Sequence, residues 1–246
     1  MTQLTQNYFN QINQKLTQIS QNEAQLKTCG ELMAQAVMKG QNLFVFGASH
    51  AGIMAEEASY RAGGLAVFNP IFHPSLMLNI RPLTLTTDFE NIEGMGHKIV
   101  AASPMKAGDI LLVHSVSGRN AIGIDIALAA KEKGITLIAI TSLATAKRVQ
   151  SKHSSGQLLC EVVDYVIDNQ CDYGDASVSL AGMAQKAAPL STIMSVTILN
   201  CLSLVICETM LAHGQTPPVL ASANIDGNQA INQAIFEQYQ QQIHYL

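Results

Sequence analysis

The apolar positions of this chain change their spacing twice. Leu4, Tyr8, Ile12, Leu16 and Ile19 recur at intervals of three and four through an otherwise Gln- and Asn-rich tract, the period of a helix with one buried face. Leu26, Cys29, Leu32, Met33, Ala36 and Val37 continue that stripe on a second helix, which stops at Gly40. Short continuous apolar runs then take over at "LFVFG" (43–47), "LAVF" (65–68), "ILLVHS" (110–115), "TLIAIT" (136–141) and "VDYVID" (163–168), with helix-like stretches between most of them. A strand buried on both faces needs such a run, and strands alternating with helices predict a parallel sheet covered on both sides, the doubly wound α/β class.

Between Pro70 and Pro104 the pattern weakens: "NPIFHPSLMLNIRP" reads as a loop and "DFENIEGMGHKIVAAS" as a helix, a crossover long enough to carry functional side chains. After Asp168 comes the polar, aperiodic "NQCDYGDASVSLAGMAQKAAP", and then a long helix opened by Pro189. Its run from Ile193 to Leu211 approaches membrane-spanning length, but Ser195, Thr197, Asn200, Ser203 and Glu208 interrupt it, so a buried helix is expected and no membrane span. "TPPV" ends that helix, and a final amphipathic helix is expected over about 228–245. With no repeat and no linker, residues 1–246 read as a single domain: N-terminal helices (1–40), an α/β core (43–213) and a C-terminal tail helix (217–246).

Composition narrows the partners. Charged residues are only 13% of the chain, about half the usual share, so part of the surface is expected to be covered by a second copy in a homodimer or higher homo-oligomer. A net charge of −4 without Lys and Arg clusters gives no footprint for nucleic acid. The opening "MTQLTQNYFNQINQ" has no basic region leading into an apolar core, which predicts a cytoplasmic location. The five cysteines, Cys29, Cys160, Cys171, Cys201 and Cys207, form no C-x-x-C pair and are expected as reduced packing residues. No His, Cys, Asp and Glu cluster has metal-ligand spacing, so neither a metal nor a cofactor is expected.

In an open parallel sheet, ligands bind beyond the carboxyl ends of the strands. Two loops there are built of small residues and hydroxyls: "GASHAG" (47–52) after the first strand, with Ser49, and "SVSGRN" (115–120) after the third. In the second, Ser115 and Ser117 can each donate a hydrogen bond, Gly118 lets the backbone approach a ligand, Arg119 adds charge and Asn120 is a plausible N-cap, a combination suited to phosphate. Ser191 and Thr192, in the first turn of the long helix, offer a third anion-directed terminus. Strand termination and helix capping are the ordinary alternative for all these hydroxyls. "GASHAG" also approaches a dinucleotide fingerprint, but it lacks the middle glycine and an acidic residue after the second strand; it approaches a nucleophile elbow, but with Ala51 in the last place.

These residues resemble a known family. "HSVSGRN", "LIAITS", "VDYVIDN", "GDA", "STI" and "PPVLASANIDGNQAIN" are similar to the SIS (sugar isomerase) fold, and specifically to a bacterial branch related to phosphoheptose isomerases. The resemblance implies a five-stranded parallel sheet, a phosphorylated sugar held by the serine loop, and sites completed across a dimer. It also implies a glutamate base on the helix after the first loop, which points to Glu57. The chain departs from the family where a serine usually sits four residues beyond the first glycine: Ala51 stands there, and the hydroxyl is at Ser49.

An aldose–ketose isomerase needs a base for a carbon-bound proton and an acid for the developing enediolate. Candidates are Glu57 and His50 near the first loop, His73 in the Pro-rich loop, and Asp175 and Lys186 flanking the polar segment. His114 reads as a core histidine, because strand alternation points it away from Ser115. A sugar-phosphate isomerase is the leading expectation, with a non-catalytic phosphosugar-sensing module, or a lyase or etherase acting on a phosphorylated amino sugar, as alternatives.

Overall fold

The computed structural model describes residues 2–246. The N-terminal stripe forms α1 (Gln3–Ser20) and α2 (Glu23–Met38), the first capped by Thr2, whose hydroxyl accepts from the Thr5 N–H. Five strands follow, β1 (Leu43–Gly47), β2 (Phe68–Pro70), β3 (Ile110–His114), β4 (Thr136–Thr141) and β5 (Tyr165–Asp168), all parallel and in the order β2-β1-β3-β4-β5. The expected sheet is therefore present. Alternation along the strands divides the core: Leu43, Val45, Leu112, Ile138 and Ile140 pack on one face of the sheet, while Phe44, Phe46, Leu111, Val113 and Leu137 pack on the other.

The first face is covered by α2, the short α3 (Ile53–Ala58) and α9 (Ser191–Ala212), and the second by α5 (Met95–Ala102), α6 (Ala121–Glu132) and α8 (Leu159–Val162). The remaining short helices are α4 (Leu85–Phe89) and α7 (Leu143–Ala146), and α10 (Asn228–Gln238) lies in the tail. By length and composition α9 could cross a membrane; in the fold Ile198, Leu202, Ile206 and Met210 are buried in the first core, with α2 packed alongside.

Four expectations need correction. The strand expected at 65–68 begins only at Phe68, because the residues before it pair elsewhere: Ala66 N–H donates to Pro218 O at 2.9 Å and Leu65 bridges to Val219. The helix expected across "DFENIEGMGHKIVAAS" is broken, since Gly94 adopts φ 81° and leaves residues 90–93 as a turn between α4 and α5. The aperiodic polar segment contains an antiparallel ribbon, β6 (Ala176–Val178) with β7 (Ala187–Pro189), so Pro189 ends a strand and α9 starts two residues later. The final helix stops at Gln238 rather than near 245 because the tail docks by side chains: Gln242 Nε2 donates to Gln41 O at 2.7 Å and Tyr245 OH to Ala66 O at 2.8 Å.

Burial accounts for the cysteines. All five are free, and desolvation pushes the thiols of Cys29 and Cys171 up to about 11 and about 12, which leaves them protonated and inert near neutrality.

Candidate functional site

The strand order reverses between β1 and β3, and ligands of doubly wound sheets bind at that crevice. A cavity of about 460 Å³ opens there, walled by the loops after β1, β3, β4 and β5 and by the turn before α5. Seven of the candidate residues singled out in the sequence meet in it: Ser49, His50, Ser115, Ser117, Arg119, Asn120 and Asp175.

The loop after β3 is held in shape by its own side chains. Ser115 Oγ accepts from Gly118 N–H at 3.2 Å and Ser117 Oγ from Arg119 N–H at 3.4 Å. Each hydroxyl therefore spends an acceptor on the backbone, and among the described residues neither finds an acceptor for its own proton, which remains to be donated. Gly118 is buried at φ 61°, and a Cβ there would lie 3.2 Å from Thr141 Oγ1. Arg119 lines the cavity with its Nε buried and unpartnered. Behind the loop, α6 presents twelve residues of aligned peptide dipoles. A strap after α7 closes over it, Lys152 N–H donating to Arg119 O at 2.9 Å and Leu159 N–H to Gly118 O at 2.8 Å.

The loop after β1 is different. Ser49 takes φ 55°, a left-handed conformation costly for a serine, and opens a single 3-10 turn (Ser49–Gly52) ahead of α3. Its hydroxyl faces Thr86 Oγ1 at 3.4 Å, and His50 beside it is exposed at the cavity mouth.

Glu90 lines the cavity beside Asn120 and was not singled out from the sequence, because the unbroken helix expected there concealed the turn that presents it. Burial raises its carboxyl above the usual carboxylate range, against the lowering effects of a hydrogen bond from Asn120, the charge of Lys152, and the nearby Ser49 and His50. Nearby, Glu93 accepts from Ser154 N–H and Oγ–H, both at 2.6 Å, tying the same turn to the strap.

His114 forms the cavity floor and is also the satisfied core histidine that strand alternation suggests. Its Nδ1 lies 2.9 Å from Ala51 O, which can only accept, so Nδ1 carries the proton and Nε2 accepts from Ser195 Oγ at 2.8 Å. Desolvation holds this imidazole below its ordinary pKa and keeps it neutral at pH 7.

The remaining candidates lie elsewhere. Glu57 pairs with Arg61 one turn along and does not line the cavity. His73 lines a second, smaller cavity of about 260 Å³ beside Phe44 and His244. Lys186 is exposed on the turn of the β6–β7 ribbon. Ser191 is buried, and neither it nor Thr192 lines the cavity; Asp175 occupies that helix terminus, accepting from Ser191 N–H at 2.8 Å and from its Oγ–H at 2.7 Å. The anion expected at the start of α9 is thus supplied by the chain itself. Asp175 and Tyr173 do line the cavity, Tyr173 carrying Arg148 at 5.6 Å over its ring. Among the described residues no group of three or more His, Cys, Asp or Glu side chains is arranged to hold a metal ion.

Comparison with known proteins agrees with this architecture. The UPF0309 protein of Shouchella clausii is 48% identical over 240 residues, covering 97% of this chain and 98% of the relative, and that of Streptomyces coelicolor is 35% identical over 221 residues, covering 89% and 88%. Among solved structures, a phosphoheptose isomerase from Francisella tularensis superposes with a TM-score of 0.52 at 18% identity over 84% of this chain and 98% of that one. The Vibrio vulnificus NanR protein complexed with ManNAc-6P superposes with a TM-score of 0.51 at 14% identity over 96% and 72%. At these identities the two structures share the fold, and one is an enzyme while the other carries a bound sugar phosphate. Residues 7–142, which include both loops of the crevice, match the SIS domain, and the chain belongs to the SIS domain family.

Proposed function

We propose that this protein binds a phosphorylated sugar in the switch-point cavity and interconverts its aldose and ketose forms. The observation that carries the reading is the loop 115–120: two hydroxyl protons free to donate and a guanidinium with an unpartnered buried Nε gather at the N-terminus of a twelve-residue helix. That arrangement suits a phosphate dianion. A carboxylate raised by burial and an exposed histidine in the same cavity suit the proton traffic of an enediolate mechanism. The phosphate anchors one end of an open-chain sugar, and the carbonyl end reaches the Glu90 and His50 wall.

The test is calorimetric titration with a panel of five-, six- and seven-carbon sugar phosphates, followed by NMR of the same mixtures. Binding with appearance of the isomeric sugar supports the reading. Binding without any new species assigns the chain to the sensing class, and release of an acid from an amino-sugar ether assigns it to the etherases.

Homodimerisation is part of the proposal. Leu204 and Leu211 on α9 are 65% and 60% exposed, an apolar face on the same helix whose opposite side is buried in the core. Leu204→Asp with Leu211→Asp is expected to shift the light-scattering mass from two chains to one; an unchanged mass removes α9 from the interface.

A further inference from the structure

Glu90 is attached once to the loop that the sugar-phosphate reading assigns to the phosphate and once to the helix that follows it. Its backbone carbonyl accepts from the Ile122 N–H at 3.0 Å, in the first turn of α6, and its carboxylate accepts from Asn120 Nδ2. Asn120 is the N-cap of α6 by position, yet its side chain makes no capping bond to the helix. An N-cap asparagine ordinarily turns its oxygen onto the N–H groups of the first turn. Here the amide is turned outward to grip a carboxylate on a different segment. The turn bearing Glu90 exists because Gly94 breaks the helix, and Glu93 fixes its far end to Ser154 on the strap.

We propose that Glu90 is the catalytic base and that Asn120 is its positioning residue, so that the loop gripping the phosphate also sets the group that moves the proton. The inference rests on the sugar-phosphate reading and adds the identity of the base and its coupling to the anion loop. Glu57, the glutamate implied by resemblance, is turned to Arg61 and off the cavity, which leaves Glu90 and Asp175 as the half-buried carboxylates lining it, and Asp175 is spent on the Ser191 N–H and hydroxyl. Other groups facing Glu90 are Lys152 from the strap and Ser49 and His50 from the first loop. Burial makes this carboxylate a stronger base than an exposed one, and the Asn120 hydrogen bond limits the rise.

In the step itself the Glu90 carboxylate takes the proton from the carbon beside the carbonyl. The electrons of the broken C–H bond form the carbon–carbon double bond of the enediol, and the former carbonyl oxygen picks up a proton from His50 or water. Collapse from the neighbouring hydroxyl, which gives its proton to the same His50 or water, draws the Glu90 proton back onto the former carbonyl carbon. Nothing is oxidised or reduced overall, and the base is regenerated.

The test uses the full chain in D2O with five-, six- and seven-carbon ketose phosphates, reading deuterium entry at the carbon beside the carbonyl by NMR and affinity by calorimetry. Glu90→Gln is expected to lower exchange by roughly 100- to 10,000-fold while affinity is kept. Glu90→Asp, which keeps the charge and withdraws it by one methylene, is expected to lose part of the rate, and it decides the matter should the glutamine variant not fold. Asn120→Ala is expected to move the acid limb of the rate profile to higher pH, because the lost donor had favoured the ionised carboxylate; a purely structural asparagine lowers the rate at every pH without moving the limb. Exchange at the wild-type rate in Glu90→Gln, or in Glu90→Asp where that variant decides, overturns the inference and leaves the sugar-phosphate reading standing. An unmoved acid limb in Asn120→Ala removes the coupling. A wild-type protein that binds none of the panel, or binds without exchange, overturns the isomerase reading and the base with it.

Discussion

The two loops at the switch point start from similar sequences and end in different physics. "GASHAG" and "SVSGRN" both place a serine and a glycine beyond the tip of a parallel strand. After β3, a glycine occupies the left-handed position, the serines keep ordinary backbone and free hydroxyl protons, and a helix of twelve residues follows. After β1, the serine itself takes the left-handed position, and the helix that follows the 3-10 turn has six residues. A long buried helix with a glycine-shaped entrance concentrates positive potential on a ligand; a short turn with a strained serine mainly positions its neighbours. On the proposed reading the phosphate sits at the second loop, and the first loop brings Ser49 and His50 to the reacting end of the sugar.

Substitution of the hydroxyls is the strongest way to break that assignment. Ser115→Ala with Ser117→Ala removes two charge-assisted hydrogen bonds, each about 1.5 kcal/mol, and is expected to weaken sugar-phosphate binding about 100-fold by calorimetry. Ser49→Ala should leave affinity within a few-fold. Equal losses from the two loops would erase the difference between them.

Backbone geometry sharpens it next. Gly118→Ala forces a side chain into φ 61° and brings a Cβ to 3.2 Å from Thr141 Oγ1, so a destabilisation of about 1–2 kcal/mol is expected in urea titrations, together with weaker phosphate binding. Ser49→Gly, which relaxes φ 55° at the other loop, is expected to stabilise the fold by about 1 kcal/mol. If both substitutions destabilise alike, the serine's conformation is not strained.

The smallest effect is the pH response of the floor joining the loops. His114 has a folded pKa below its unfolded value of about 6.5, so the unfolded chain binds more protons in the window between the two. Its contribution is full above about pH 6.5 and is lost as the pH falls through that window toward the folded value. Urea midpoints should therefore drop on acidification, and His114→Gln should flatten that part of the curve. A profile identical in the two proteins would show that this histidine does not carry the acid sensitivity.

Periodicity and loop chemistry made much of the site legible. Four of the five apolar runs located their strands, because burial on both faces demands continuous apolar sequence, while the run at 65–68 met β2 only at Phe68; the carboxyl-end rule then selected Ser115, Ser117, Arg119 and Asn120, all of which reach the cavity. Glu90 stayed hidden because its identity as a site residue depends on a turn, and that turn depends on Gly94 breaking a stretch whose residues otherwise favour helix. Ser191 misled for a related reason: a hydroxyl at a helix start reads the same whether it faces a ligand or, as here, a carboxylate of the same chain.

By itself the sequence determined the layered α/β architecture, the direction of its strands and the hydroxyl-rich loop that lines the cavity, since these follow from local spacing and residue chemistry. Tertiary structure alone decided which acidic group contacts that loop, where Asp175 is spent, and that Leu65 leaves the expected strand to bridge to Val219. Those outcomes depend on contacts between segments far apart in the chain, whose relative positions are set by packing against the shared core and leave no periodic trace in any one of them.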